Sequence, residues 1–234
     1  MSNDKVDNTE DQDGGDDAPI LRHFPASRRS ASGGLRSMLR QATHADHVRL
    51  NGHPLLAPLT RPQLTRPHYG RVLVAYFHFY RCLEARIDQA EQRLPGALPY
   101  AERRKTPWLA SDLVHLGLAP GASAPAPMAA WDVGPIDGLG ALAGVLYAVE
   151  GSTLGGQVIG RHLAGNLGLT SREGARFFNA YGAETESRWQ AFLAWLEGLA
   201  MEPEERQQAG LQAGNIFSKL EILLDAYHQA PVGH

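Results

Sequence analysis

Apolar residues recur along this chain at helical spacing, three or four positions apart, and no stretch keeps the strict alternation of a half-buried strand. Leu35, Met38, Leu39, Ala42 and Leu50 form one stripe, which predicts a first helix over Leu35–Leu50. Proline-rich HPLLAPLTRPQLTRP then interrupts helix formation. Tyr69, Val72, Leu73, Tyr76, Phe79, Tyr80 and Leu83 mark a second helix from His68 to about Leu94, closed by Pro95-Gly96. A shorter helix between Pro99 and Gly117 centres on Trp108, Leu109, Leu113 and Leu116, followed by a loop, GLAPGASAPAPMAAWDVGP. A long helix starts at Gly138 and ends near Gly165 to Gly168, and Ser171, Glu184 and Pro203 each open a further helical stretch. The pattern predicts an all-α, single-domain, multi-helix bundle without internal repeats.

The helix over Gly138–Leu163, GLGALAGVLYAVEGSTLGGQVIGRHL, carries glycines that a helix interior disfavours. Each interior glycine costs roughly 0.5–1 kcal/mol relative to alanine. At about 100° per residue, Gly140, Gly144, Ala148, Gly151 and Gly155 share one narrow strip, with Ser152 beside it. One face of this helix is therefore bare backbone. Such a face suits close approach of another helix or of a flat ligand, and Gly140, Gly144 and Ala148 are expected to serve the first purpose.

Composition and charge narrow the setting. Of 234 residues, 43% are hydrophobic, ordinary for a globular domain. The formal charge is −3, yet the first 17 residues hold seven acidic groups against Lys5 alone, leaving the remainder mildly basic. Residues 1–33, acidic and then rich in Ser, Arg and Gly, read as a disordered tail, and residues 34–230 as the domain. No basic stripe interleaved with aromatics suggests nucleic acid, and no run of about 18 apolar residues suggests a membrane span. The amino terminus lacks the charged-then-apolar order of a signal peptide, so a cytoplasmic protein is expected. Cys82 is the single cysteine and reads as a small buried hydrophobe.

Histidines on the first helix divide by angle. With Leu35 at zero, His44 points about 180° away, toward water, while His47 lies at about 120°, on the shoulder of the apolar stripe beside Thr43. Arg40, two turns earlier, shares the face of His47. A neutral imidazole and a cation so placed suit a ligand that carries both a metal and an acidic group. Asp46 falls within the apolar stripe, and the sequence offers no reason for it beyond the nearby helix end.

LRQATHADHVRLNGHPLL resembles the proximal helix of heme oxygenases, and VEGSTLGGQVIGRHL the distal helix of their bacterial branch, most closely the type encoded beside bacteriophytochromes. HYGRVLVAYFHFYRCLE and LASDLVHLG are similar to other segments of the family, so the likeness runs from about Leu35 to Tyr227. The resemblance implies that heme, at once substrate and cofactor, lies between the first helix and a kinked, glycine-rich distal helix, with His47 as proximal iron ligand. Gly151, Ser152, Gly155 and Gly156 would form the catalytic distal face, where bare backbone leaves room for dioxygen. Ser152 stands where mammalian members carry an organising Asp, as it does in bacterial relatives. Gln190 follows Trp189 where the family usually has a basic residue, which leaves the propionates to Arg40 and Arg188. Thr43 and Phe217 complete the implied heme pocket. The implied reaction is oxidative cleavage at a meso carbon to biliverdin, carbon monoxide and ferrous iron. Electrons would come from reduced ferredoxin, flavodoxin or an NADPH-dependent reductase, and a bacteriophytochrome would accept the biliverdin.

Two other readings stay open on the residues. One is a heme-sequestering protein without turnover. The other is a di-iron carboxylate protein using Asp112-x-x-His115 and Asp225-x-x-His228, with Glu84 and Glu150 as bridges.

Overall fold

A computed structural model describes residues 34–120 and 124–230; the 1–33 tail lies outside the described residues. The helices are α1 (Leu35–Asn51), α2 (Arg66–Arg93), α3 (Thr106–His115), α4 (Met128–Trp131), α5 (Leu139–Leu167), α6 (Arg176–Asn179), α7 (Thr185–Glu197) and α8 (Pro203–Gln229). Short 3-10 turns occupy Ala57–Thr60, Ala101–Arg103 and Gly182–Glu184. Among the described residues there is no strand beyond isolated bridges at Thr170, and no helix long and apolar enough to cross a membrane.

The centre of the bundle is α5, which packs along α8, and α1 packs on α8 as well. The glycine strip explains the first contact. A β-carbon at Gly140 would stand 2.3 Å from the Glu205 carbonyl oxygen, and one at Gly144 would stand 2.0 Å from that of Ala209. Side-chain-free backbone lets the two helices meet at this depth. The kink expected in α5 brings no interruption: the helix is α-helical throughout, with Ser152 and Thr153 donating back to the Val149 and Glu150 carbonyls at 2.7 and 2.6 Å. It stops at Gly168, where φ of 67° closes a left-handed cap.

Several helix ends are capped from elsewhere in the chain. The Glu197 carboxylate of α7 accepts the backbone N–H of Arg36 at 3.0 Å and so fixes the start of α1. On α2, the Glu84 carboxylate accepts the N–H groups of Lys105 and Thr106 at 2.5 and 3.3 Å. The third helix therefore begins at Thr106, several residues later than the pattern from Pro99 predicts. No helix opens at Ser171. Gly174 has φ of 85°, its carbonyl is taken by the Tyr69 hydroxyl at 2.8 Å, and the one-turn α6 starts only at Arg176. Asp112 of α3 caps it, accepting the N–H groups of Arg176 and Phe177 at 2.8 Å each.

Asp46 now has its reason. It sits over Gly214 of α8, where a β-carbon would be 3.5 Å from its Oδ2, and it holds Arg49 at 2.9 Å. Arg49 also reaches Glu221 at 2.7 Å, so an acid on the inner face of α1 becomes part of an ionic seam between α1 and α8.

Candidate active site

Between α1, α2, α5, α6 and α8 lies a cavity whose empty space, open mouth included, is about 1040 Å³. From α1 it is lined by His47, Leu50 and Asn51; from α2 by Tyr76, Phe79 and Tyr80; from α8 by Ile216, Phe217 and Leu220. The α5 wall runs from Ala148 to Ile159 and includes Gly151, Ser152, Thr153, Gly155 and Gly156. Phe177 and Phe178 of α6, Leu56 after α1 and Lys105 ahead of α3 close the remainder. Because α1 and α5 both pack mainly on α8, they border the cavity as separate walls.

His47 is half-buried, and its ring lies 4.4 Å from that of Phe217, tilted by 59°. Burial pushes its imidazole down to about 4, against an opposing pull from Asp46. At neutral pH the ring is uncharged, the form in which a histidine binds metal. The cation expected beside it is elsewhere. Arg40 is exposed and does not line the cavity; its charge instead acts, with that of Arg36, on the Tyr147 hydroxyl, which burial raises to about 12. Thr43 is buried and absent from the lining, because its hydroxyl turns back to the Leu39 carbonyl at 2.8 Å. Arg188 also lies outside it, paired with Glu184 at 3.1 Å and set over the Tyr181 ring at 4.9 Å.

The glycines of the α5 wall have different surroundings. Gly155 is half-buried and lines the cavity. A β-carbon on Gly151 would only touch Trp189, at 3.7 Å, whereas one on Gly156 would press on the Phe178 carbonyl oxygen at 3.0 Å. Gly156 thus lines the cavity and also admits α6 against α5. Ser152 is exposed toward the cavity, and its hydroxyl donates to the Val149 carbonyl at 2.7 Å. Burial raises the hydroxyls of Tyr76 and Tyr80 far above the ordinary phenol value, so both remain protonated donors.

Sequence patterning missed Tyr76 and Tyr80 as wall residues, since their i, i+4 spacing reads equally as core. It also missed Lys105, a fully buried cation at the cavity, for which the sequence carries no signal. The carboxylates of the di-iron reading are dispersed: Asp112 caps α6, Glu84 caps α3, and Asp225 pairs with His53 at 3.2 Å. No group of three or more His, Cys, Asp or Glu side chains among the described residues is placed to hold a metal ion.

A family model described as heme oxygenase matches residues 34–224. Heme oxygenase PigA of Pseudomonas aeruginosa is 28% identical over 195 residues, covering 82% of this chain and 92% of its own. Among solved structures, the heme oxygenase of Neisseria meningitidis in its NO- and CO-bound forms superposes with a TM-score of 0.68 at 21% identity, covering 85% of this chain and 94% of its own. Heme oxygenase-1 of the cyanobacterium Synechocystis, solved in complex with heme, gives 0.61 at 13% identity, with coverages of 82% and 91%. These likenesses extend the all-helical fold to structures of low sequence identity.

Proposed function

The chain belongs to the heme oxygenase family, and from that premise we propose that it cleaves heme at a meso carbon to biliverdin, carbon monoxide and ferrous iron, using dioxygen and external electrons. The observation that carries this reading is a single cavity bordered by an uncharged imidazole, His47, and by the side-chain-poor α5 wall at Gly151 and Gly155.

The residues present fit heme. Leu50, Phe79, Ile159, Ile216 and Leu220 supply an apolar lining for a flat macrocycle, and the half-buried neutral imidazole of His47 on that lining would be a suitable iron ligand. When bound, heme supplies both the bond to be cleaved and the iron at which dioxygen is activated. Of the chain's own residues, His47 would hold the iron, with Phe217 against its ring. Gly151, Gly155 and Gly156 keep side chains out of the distal space, where dioxygen needs room. Ser152, exposed on that wall, would anchor a water there, the usual way a hydroxyl directs a proton across a gap. Arg40, exposed and outside the lining, would serve the propionates. Thr43 supports the His47 helix from within, and Arg188 stays with Glu184.

Supply of electrons by reduced ferredoxin, flavodoxin or an NADPH-dependent reductase, transfer of biliverdin to a bacteriophytochrome, and a cytoplasmic setting belong to the same proposal. Their support is the resemblance carried by VEGSTLGGQVIGRHL.

The test is aerobic turnover of the purified one-to-one heme complex. Addition of ascorbate or reduced ferredoxin should replace the Soret band with the broad red absorption of biliverdin, identified chromatographically by isomer. A heme complex that persists under those conditions would leave a sequestering protein, and a chain that binds no heme would refute the reading altogether.

A further inference from the structure

Helix α5 is held at three points. Gly140 and Gly144 fix its first half on α8, and Gly156 and Gly160 fix its second half on α6. The point between them is ionic. Glu150 lies between the cavity-lining Val149 and Gly151, is itself absent from the lining, and is 1% exposed. Its Oε2 accepts from Arg103 at 2.5 Å and its Oε1 from Lys105 Nζ at 3.0 Å, while the Tyr181 hydroxyl stands 3.0 Å from both oxygens. The Lys105 ammonium also donates to the Arg103 carbonyl at 2.5 Å and to Tyr181 at 2.7 Å, beneath the rings of Trp108 and Tyr181 at 5.1 and 4.7 Å. One carboxylate thus joins α5 to the segment ahead of α3 and to the turn after α6.

A buried ion cluster of this kind adds little net stability, because desolvation offsets the attraction and a well-packed apolar group of the same volume often does as well. What it does impose is geometry, since a carboxylate with several charged and hydroxyl donors tolerates few arrangements. Two of the groups it fixes face the cavity: the Gly151 turn of α5 and the Lys105 side chain. We propose that Glu150 is a positioning residue of the active site, setting the placement of the Gly151–Gly155 backbone and of Lys105 at the cavity through its simultaneous bonds to Arg103, Lys105 and Tyr181. The inference rests on the heme oxygenase reading and assigns it a residue that does not touch the substrate. Burial lowers the Lys105 ammonium from its ordinary value and Glu150 opposes that shift, which gives a second way to observe the same contact.

The experiment uses Glu150→Gln, which keeps shape and removes charge, with His47 and the cavity lining unaltered. The variant should give the histidine-ligated ferric spectrum of the unaltered protein, a shifted or broadened C–O stretching band in its carbon monoxide complex, and a kcat roughly 10- to 100-fold lower, the loss typical of a displaced second layer. In the heme-free protein, the Lys105 resonance in a 15N-lysine titration should move to lower pH. An unchanged C–O band with kcat within about twofold of the unaltered protein, or an unmoved Lys105 titration, overturns the proposal. Should Glu150→Gln lose its cooperative unfolding transition, Glu150→Asp takes its place. It keeps the charge but withdraws it by one methylene, so the same band shift and loss of kcat are expected, and their absence overturns the proposal. Failure of the unaltered protein to turn heme over would count against the proposed activity, while the heme-free titration would still test Glu150.

Discussion

Gly144 of α5 approaches the backbone of Ala209 in α8 so closely that a β-carbon there would lie 2.0 Å from the Ala209 carbonyl oxygen. Backbone cannot move aside as a flexible side chain can, so Gly144→Ala must separate α5 from α8. Overpacking of this kind costs about 1–3 kcal/mol or more, against a helix-propensity gain of about 1 kcal/mol. Gly165→Ala is the matched control, because it lies in the same helix with nothing within 4 Å of its β-carbon. Denaturant titration should show Gly144→Ala destabilised and Gly165→Ala stabilised by about 0.5–1 kcal/mol. Equal effects at the two positions would mean that α5 and α8 are not in this contact.

His47→Ala removes the proposed iron ligand without opening the core, since His47 is only half-buried. The heme-free variant should unfold within about 1 kcal/mol of the unaltered protein, as partly exposed substitutions commonly do. Its heme complex should lose the histidine-ligated spectrum and regain it on addition of imidazole. An unaltered spectrum would remove His47 from the proximal position.

What the sequence disclosed follows from how far each determinant reaches along the chain. The stripes of α1, α2, α5 and α8 are local periodicities, and local spacing places His47 on the shoulder of α1 and the glycines on one strip of α5. The starts of α3 and α6 were illegible because Glu84 and Asp112 cap them from other helices. For the same reason Lys105 and Glu150 could not be read as buried. An isolated charge defaults to the surface, and only the convergence of residues 103, 105, 150 and 181 makes their burial tolerable. Arg188 was drawn toward the ligand by the motif around Trp189, whereas Glu184, four residues earlier at the N-cap of its helix, offers a nearer partner.

Heme-free protein should lose stability in acid partly through His47. Its imidazole titrates at about 4 when folded and near the ordinary 6.5 when unfolded, so between those values the unfolded chain binds the extra proton. Stability from this group is complete above pH 6.5 and is lost as pH falls toward 4, by up to about 3 kcal/mol. His47→Gln should flatten that part of the stability profile relative to the unaltered protein. A curve of unchanged slope between pH 4 and 6.5 would show that the folded imidazole is not depressed.

Gly155→Leu separates room for a ligand from room for a neighbouring helix. Unlike Gly140 and Gly144, whose β-carbons would strike the α8 backbone, Gly155 is half-buried on the cavity wall. Leucine is also the better helix former, by somewhat under 1 kcal/mol. The variant should therefore keep a cooperative unfolding transition while its heme dissociation constant, measured by Soret titration, rises at least about tenfold, or ~1.4 kcal/mol. Gly144→Ala should show the reverse ordering, with stability lost first and affinity following only as the fold loosens. If Gly155→Leu bound heme as tightly as the unaltered protein, the α5 glycines at the cavity would be packing residues like those at Gly140 and Gly144, and the distal face would have to be sought on another wall.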